Sequence, residues 1–481
     1  MFILIKIIAI LVALFILGII IFAHELGHFL AARWTGMRAE VFSIGMGPPI
    51  WKKKIGGTEF RLSCIPFGGY VSLPQLDPEA MEKIQGKTDK EAGTAPYPQI
   101  AWWKRIIAAA AGSFGNLVFA IILALVIWAM PPPIDKNLSF GGAVVGVVDP
   151  ESPAAVAGLR VGDKILATNG NKTETWHEFL RETLLASIDN VAVVEVENIF
   201  DGAKAQISIQ LTTNRLNKFH IAGIDEAHAV GIGKFTWDNK TPAEEAGFRE
   251  KDVFIEVNGT RVVSTEQLAS LVRESGGETL AVRYLREDKV AETTVRPVLK
   301  ALPVEDDVDK TDKIDDIESV DAIELIEVYQ IGAQLVPVAS ASQWLKHRNP
   351  VDQIKGDYAE IKRILGALVT PKNKGESGRA ASNLGGPVII VTSIWLTIFS
   401  GFAAILGFMR FININLAILN MLPLPVLDGG HIMFALWRGI TGREIHPKIL
   451  NALVMVFAFL LIGAILLLTY RDSVFIWKIF R

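Results

Sequence analysis

His24-Glu25-Leu26-Gly27-His28 closes the first apolar stretch of the chain, and its reading decides how the rest folds. On a helix, residues i and i+4 share one face, so His24 and His28 can offer their imidazoles to a single Zn²⁺. Glu25 lies beside them, where a carboxylate can take a proton from the hydrolytic water. The run from Met1 to Ala23 is apolar apart from Lys6 and is long enough to cross a bilayer. It has no early small-x-small cleavage site and runs straight into the motif, so it reads as retained rather than as a signal peptide. Ionisable groups at the end of a membrane helix are costly, which makes them functional candidates. The competing reading is a helix end whose His and Glu simply face water.

The 481 residues suggest about three domains, and half of them are hydrophobic, concentrated at the two ends. A net charge of −3 argues against nucleic acid as a partner. Cys64 is the only cysteine, which excludes an intramolecular disulfide and a thiolate zinc site.

After the first span (1–32), residues 33–105 read as a basic, membrane-associated β region. Arg33, Arg38, Lys52, Lys53, Lys54 and Arg61 mark a face that stays in the cytoplasm under the positive-inside rule. Ile50 to Cys64 alternates like a hairpin around Gly56-Gly57. Pro66-Phe67-Gly68-Gly69-Tyr70-Val71 continues as a glycine-marked strand. Gly68, Gly69 and Tyr70 are read there as an exposed edge that accepts a substrate strand, since main-chain pairing ignores side-chain identity. Gln75 to Gln99 is polar and reads as a surface loop. A second span covers 106–130 and stops at Pro131-Pro132-Pro133. Inside it, Gly112, Gly115 and Asn116 are small or polar in hydrocarbon, either for close helix packing or to line a site.

The next block contains an internal repeat. Ser152-Pro153-Ala154, Ala157-Gly158-Leu159-Arg160, Asp163 and Asn169-Gly170 recur as Thr241-Pro242-Ala243, Ala246-Gly247-Phe248-Arg249, Asp252 and Asn258-Gly259, at a constant offset (247 − 158 = 89). That period suits two tandem small domains, placed at 134–218 and 219–300. Longer helices are expected at Trp176 to Ser187 and Thr265 to Glu274. The paired signature resembles bacterial PDZ domains, which implies grooves that take peptide tails by strand addition; a rigid spacer or size filter is the alternative.

Residues 301–386 hold an acidic stretch from Glu305 to Glu327, read as a linker, and amphipathic spacing from Ala341 to Leu368, including Trp344, Leu345, Ile354 and Ile361. That second segment suits a helix lying on the membrane surface or against the soluble domains. Pro387 to Leu427 is about twice the length of one span. Two crossings would put Asp428 on the wrong side for a site shared with His24 and His28. The stretch is therefore divided near Ser400-Gly401 into an interfacial or re-entrant segment (387–400) and a third span (401–428), with a fourth span at 449–470.

Asn420-Met421-Leu422-Pro423-Leu424-Pro425-Val426-Leu427-Asp428-Gly429-Gly430-His431 is the other place where polar groups gather at a membrane helix end. A catalytic zinc takes three protein ligands and keeps one position open. Asp428 is the carboxylate at the matching depth, and His431 is the fallback. HExxH on the first span, N-x-x-P-x-P-x-x-D-G on a later one and the two copies between them resemble the site-2 protease family over essentially the whole chain. The implied fold is an α-helical polytopic membrane protein, with four spans, a membrane-associated β-hairpin and two α+β PDZ domains between spans two and three. The resemblance implies one Zn²⁺ on His24, His28 and Asp428, with Glu25 as base. Asn420, with Pro423 and Pro425 of the same motif, would hold the substrate or the developing oxyanion. It further implies an intramembrane zinc endopeptidase of a bacterial inner membrane, with the PDZ block periplasmic and the site near the cytoplasmic side. Its substrates would be single-pass membrane proteins already trimmed by another protease, notably an anti-sigma factor of an envelope stress response, and leftover signal peptides. Two departures are Ser72, where the family pattern leads one to expect lysine, and the acidic stretch. The competing class is a membrane-anchored PDZ receptor whose metal is structural or cargo.

Overall fold

A computed structural model describes residues 2–76, 100–130, 140–303, 325–338 and 349–479, apart from 187–188, 214–219, 238, 288, 373–374, 383, 400 and 444. Most of the expected Gln75–Gln99 loop, the stop at Pro131–Pro133, the acidic stretch up to residue 324, and Trp344 and Leu345 lie outside the described residues. The chain forms two compact units. One comprises Met1–Pro131, Trp344–Lys372 and Ser377–Arg481; the other comprises Pro132–Gln343 and Asn373–Glu376.

The first unit opens with α1 (Phe2–Thr35), followed by β1 (Val41–Ile55), β2 (Thr58–Ser72) and α2 (Trp102–Ala129). Small residues let α1 and α2 touch backbone to backbone. A Cβ on Gly115 would stand 2.6 Å from the Ala23 carbonyl oxygen and 3.2 Å from the Gly27 Cα, and one on Gly27 would collide with the Ala111 carbonyl. Gly56 and Gly57 turn the hairpin with φ of +55° and +90°, values a two-residue primed turn requires. Val41–Ile44 is flanked by Glu59–Leu62 and Gly69–Ser72, so the last residues of β2 form an outer edge. Phe29 of α1, Phe42, Val71 and Leu73 bury that sheet against the helix end.

The second unit holds the repeat. In the first copy β3 (Ala143–Val148), α3 (Pro153–Val156), β4 (Asp163–Thr168), α4 (Trp176–Leu184), β5 (Val191–Asn198), β6 (Lys204–Gln210) and β7 (Ile224–Glu226) make a sheet ordered β7-β3-β4-β5-β6, with Asn171–Lys172 beside β4. The second copy has β8 (Ala229–Phe235), α5 (Pro242–Glu245), β9 (Val253–Val257), α6 (Thr265–Glu274), β10 (Leu280–Arg286) and β11 (Lys289–Val295). A hairpin of β12 (Val298–Pro303) and β13 (Leu325–Gln330) follows, and β14 (Ala333–Val338) closes the order β11-β10-β9-β8-β14. The recurring residues do the same work twice. Asp163 accepts from the Arg160 amide at 2.8 Å, and Asp252 from the Arg249 amide at 2.7 Å. Asn169 and Asn258 take left-handed backbone (φ 51° and 48°) and accept from Val193 and Ala281 of the next strand.

Three differences from the sequence reading stand out in this unit. The helix expected to reach Ser187 ends at Leu184. The return strand β7 puts the end of the first sheet at Glu226 rather than 218. The second sheet draws its last strand from beyond residue 300, where a linker was expected. Pro337 hides that strand in the sequence, because proline is admitted to sheets only at edges such as this one.

Back in the first unit, α7 (Pro350–Val369) precedes α8 (Pro387–Phe399), α9 (Phe402–Asn420), α10 (Asp428–Thr441) and α11 (Pro447–Ile479). Four stretches among the described residues are long and apolar enough to span a membrane: Leu11–Thr35, Trp102–Ala129, Phe402–Asn420 and Lys448–Val474. Gly401, with φ +99°, makes the break expected near Ser400-Gly401. At 13 residues α8 reaches only about 20 Å, short of a bilayer core of about 30 Å. The last helix runs on past Tyr470 to Ile479, and buried Asp472 accepts from the Ile389 amide in the first turn of α8, a favourable place for a carboxylate.

The amphipathic segment is corrected: α7 does not lie on a surface but packs against α2 and α9 through Ile361, Ala120 and Ile414. The cause is Arg410, a buried cation in the middle of α9, which the sequence reading passed over. Its guanidinium donates to both Asp357 oxygens, at 2.6 and 3.1 Å, and to Gln353 one turn earlier on α7. Removing one partner of a buried ion pair costs about 3–5 kcal/mol, whereas replacing both by apolar groups is often neutral. Asp357→Ala is therefore expected to lower stability by about 3–5 kcal/mol, and Asp357→Leu with Arg410→Met by far less. Denaturant unfolding in detergent micelles reads both, and a near-neutral single variant would refute the clamp.

Candidate metal centre

α1 carries His24 and His28 on one face, with their Nε2 atoms 3.2 Å apart. Asp428, in the first turn of α10, meets both: Oδ2 lies 3.6 Å from His24 Nε2 and Oδ1 lies 3.5 Å from His28 Nε2. Among the described residues these three alone form such a donor group, with all ligand atoms within 4.8 Å of one another. The fallback His431 is not in that group; its ring meets Phe434 edge-on.

The imidazoles are held from behind by α2. His28 Nδ1–H donates to the Ala108 carbonyl at 2.8 Å, which leaves its Nε2 lone pair facing the other donors. His24 Nδ1 is 3.2 Å from the Asn116 side-chain amide. Gly112 faces both rings: a Cβ there would be 2.6 Å from His24 Cε1 and 2.7 Å from His28 Cε1. The two readings of the α2 glycines thus divide between them, Gly115 serving helix packing and Gly112 making room for the imidazoles.

Asp428 reaches the site because the chain between α9 and α10 turns tightly. Leu424 donates to the Leu422 carbonyl and Leu427 to the Leu424 carbonyl. Gly429 and Gly430 are buried against this turn; side chains would strike the Met421 and Leu422 carbonyls and Pro425. Within the same motif Pro425 is buried and Pro423 exposed, and Asn420 Nδ2 stands 3.5 Å from His24 Nε2.

Glu25 is buried, and its side chain lies close to Gly69 of β2. A Cβ on Gly69 would lie 2.8 Å from Ile21 Cγ2, 2.9 Å from the Ser43 carbonyl oxygen and 3.1 Å from Glu25 Cγ, so glycine lets the strand pass this close to α1. Tyr70 belongs to the opposite face, where its hydroxyl accepts from Arg61 at 3.2 Å. Gly68, with φ +80°, lies against the Met46 side chain and not against the donors.

Whether this donor set suits zinc can be judged from the polar atoms. Without a metal, His24 Nε2–H can donate to His28 Nε2 while the Asn116 amide donates to His24 Nδ1. That scheme strands Asn116 Oδ1 and Asp428 Oδ2, both buried with no hydrogen-bond partner. An unsatisfied buried acceptor costs about 1–3 kcal/mol. Exchanging the oxygen and nitrogen of the Asn116 amide gives Oδ1 the His24 Nδ1–H and leaves all three donors facing inward as lone pairs. Ligand atoms about 2.0–2.1 Å from a tetrahedral zinc lie about 3.3–3.4 Å apart; the two Nε2 atoms are 3.2 Å apart, each has one Asp428 oxygen at 3.5 or 3.6 Å, and one atom from each residue can be chosen so that all three lie within 4.8 Å of one another. The residues fit the metal. The Ala108 carbonyl and the closeness of Gly112 were invisible in the sequence, since a backbone acceptor and a missing side chain leave no motif.

A family model described as peptidase family M50 matches residues 12–464, and the chain belongs to that family. It is 28% identical over 449 residues to a Vibrio cholerae protein named "Putative zinc metalloprotease", covering 90% of this chain and 91% of the relative. It is 27% identical over 446 residues to the Escherichia coli protein named regulator of sigma-E protease RseP, again covering 90% and 91%. A Neisseria meningitidis relative, also named "Putative zinc metalloprotease", is 27% identical over 457 residues. The chain is a zinc metalloprotease of this family, and the non-enzymatic receptor reading is set aside.

The two imidazoles leave no room for a methyl group at position 112. Gly112→Ala is expected to cut the zinc content of the purified protein several-fold, while Gly18→Ala, with nothing within 4 Å, leaves it unchanged. Metal analysis of both variants decides, and full zinc in Gly112→Ala would contradict the geometry.

Proposed function

We propose that this M50 peptidase cleaves single-pass membrane proteins within the bilayer, holding Zn²⁺ on His24, His28 and Asp428 and using Glu25 as general base. The observation that carries the reading is the meeting of three donors beside a buried Glu25, with two of the donors and Glu25 on a helix long enough to cross a membrane. Zinc, when bound there, lowers the pKa of water to about 7 and polarises the scissile carbonyl. Glu25 takes the proton of the hydrolytic water and passes it to the leaving amine. A substrate helix hides its peptide bonds and must be unwound. The outer edge Gly69–Ser72 offers backbone groups that hold the unwound strand beside Glu25. Asn420 donates its amide to the substrate carbonyl as charge develops, and Pro423 and Pro425 shape the opposite wall.

The two copies of the soluble unit act as PDZ domains. Among the described residues each sheet ends on a short return strand, β7 or β14, and an edge strand of this kind suits an added peptide strand. The unit is periplasmic in this reading, the site lies near the cytoplasmic side of a bacterial inner membrane, and the substrates are already trimmed outside. The relatives named regulator of sigma-E protease make an anti-sigma factor the first substrate to try.

Two experiments test the division of labour. Glu25→Gln is expected to keep zinc and to lose at least about a hundred-fold in cleavage of a model membrane segment, since a positioned base contributes about 10²–10⁴. Cleavage within a few-fold of the parent would remove Glu25 from the mechanism. Replacing residues 140–338 by a short linker should keep zinc and the cleavage of trimmed substrates, yet admit untrimmed ones that the intact protein refuses. Equal discrimination by both proteins would place selectivity in the membrane unit.

A further inference from the structure

At the end of α1 beyond the metal ligands, the chain forms a cavity of about 330 Å³ lined by Arg33, Arg38, Gly56 and Gly57 among others. We propose that this cavity binds the phosphate of an anionic lipid headgroup. Its two guanidiniums are exposed, and neither forms an ion pair among the described residues. Glu59, beside the turn, is engaged by Arg61 at 2.7 Å. Arg33 is held in place, stacked over Phe29 at 5.8 Å on one side. On the other, a Cβ on Gly56 would lie 3.8 Å from its Nη1, so the side chain rests against a turn without side chains of its own.

The plain alternative is that these arginines cap the C-terminal end of α1. That end is already satisfied. Gly36 and Met37 donate to the Arg33 and Ala32 carbonyls, the Thr35 hydroxyl donates to Ala31, and Lys104 Nζ donates to the Thr35 carbonyl at 2.9 Å. The partial negative charge of a helix end disfavours an anion nearby, but it is neutralised here by those donors and by Lys104. Two forked guanidiniums then dominate, and that pairing matches a phosphate's geometry bidentately.

The surroundings decide between a lipid and a soluble phosphate. Trp34 is 79% exposed next to Arg33, and Trp51 is 51% exposed on β1 beside Lys52, Lys53 and Lys54. Exposed tryptophans with lysines at the end of a span mark the headgroup level, where the available phosphates are those of lipids.

The test uses the full-length, zinc-loaded protein in a non-ionic detergent, titrated with phosphatidylglycerol, phosphatidylcholine or inorganic phosphate and read by native mass spectrometry. Phosphatidylglycerol should fill one site, bind more tightly than phosphatidylcholine, and lose affinity about ten-fold or more in Arg33→Gln/Arg38→Gln with zinc content unchanged. Lys52→Gln/Lys54→Gln should change it much less, because those charges attract without forming the cavity. If the double glutamine variant loses zinc, Arg33→Lys/Arg38→Lys replaces it: the charge stays, the fork goes, and affinity should still fall. Unchanged lipid binding in the arginine variants overturns the proposal, as does an equal loss in the lysine variant. Tight binding of inorganic phosphate without phosphatidylglycerol would make the ligand soluble and overturn the lipid assignment.

Discussion

The closest constraint in this molecule is the contact between the backbones of α1 and α2. Gly27 and Gly115 bring the helices together so tightly that a single methyl on either would force them apart. Everything at the metal centre depends on that distance. At this spacing the Ala108 carbonyl reaches His28, Asn116 reaches His24, and Gly112 clears the space that the two rings occupy. Apolar helices gain little hydrophobic attraction inside a bilayer, so close packing and the polar contacts it permits must hold them. The small residues and the site are therefore one device. The polar atoms that orient the two imidazoles also tie the helices, and a metal held by the three donors would join both to the turn that carries Asp428.

A second principle recurs on the far side of α2. Arg410 is isolated in the apolar sequence of α9, and a lone cation in hydrocarbon is untenable. α7 supplies both a carboxylate and an amide one turn apart, and so becomes part of the membrane unit instead of a surface helix. Asp472 acts similarly, joining the last span to the first turn of α8. In each case a polar group placed where water is scarce dictates which helix must come to it.

This explains what could be read from the sequence. The four spans, the hairpin turn at Gly56-Gly57, the break at Gly401 and the first turns of the repeat follow from local period and local backbone chemistry, and the chain alone displays them. His24, His28 and Asp428 were also legible as a donor set, because zinc demands three donors and few places in the apolar ends offer any. What stayed hidden was pairing at a distance. Nothing near Arg410 announces Asp357, 53 residues earlier. The strand β14 follows a long acidic stretch and contains Pro337, so neither its position nor its composition suggests that it completes the sheet begun at β8. Gly112 was visible as a small residue, but only the fold says which atoms its missing side chain leaves room for.

The same reasoning bears on how a bond can be broken in this setting. In the proposed reading, a peptide strand beside Gly69–Ser72 would have its backbone groups satisfied by β2 on one side, as hydrocarbon requires. Glycine at position 69 lets β2 itself run close against α1 beside Glu25. In the proposed mechanism, unwinding the substrate and positioning the base would therefore be served by one segment rather than two. A substrate that failed to pair along this edge would present its scissile bond at the wrong distance from Glu25 even if it reached the metal. Side chains contribute little to such pairing, so in this reading the protease would accept many sequences at the cleavage point. It must then draw its selectivity from how readily a segment unwinds and from what controls entry.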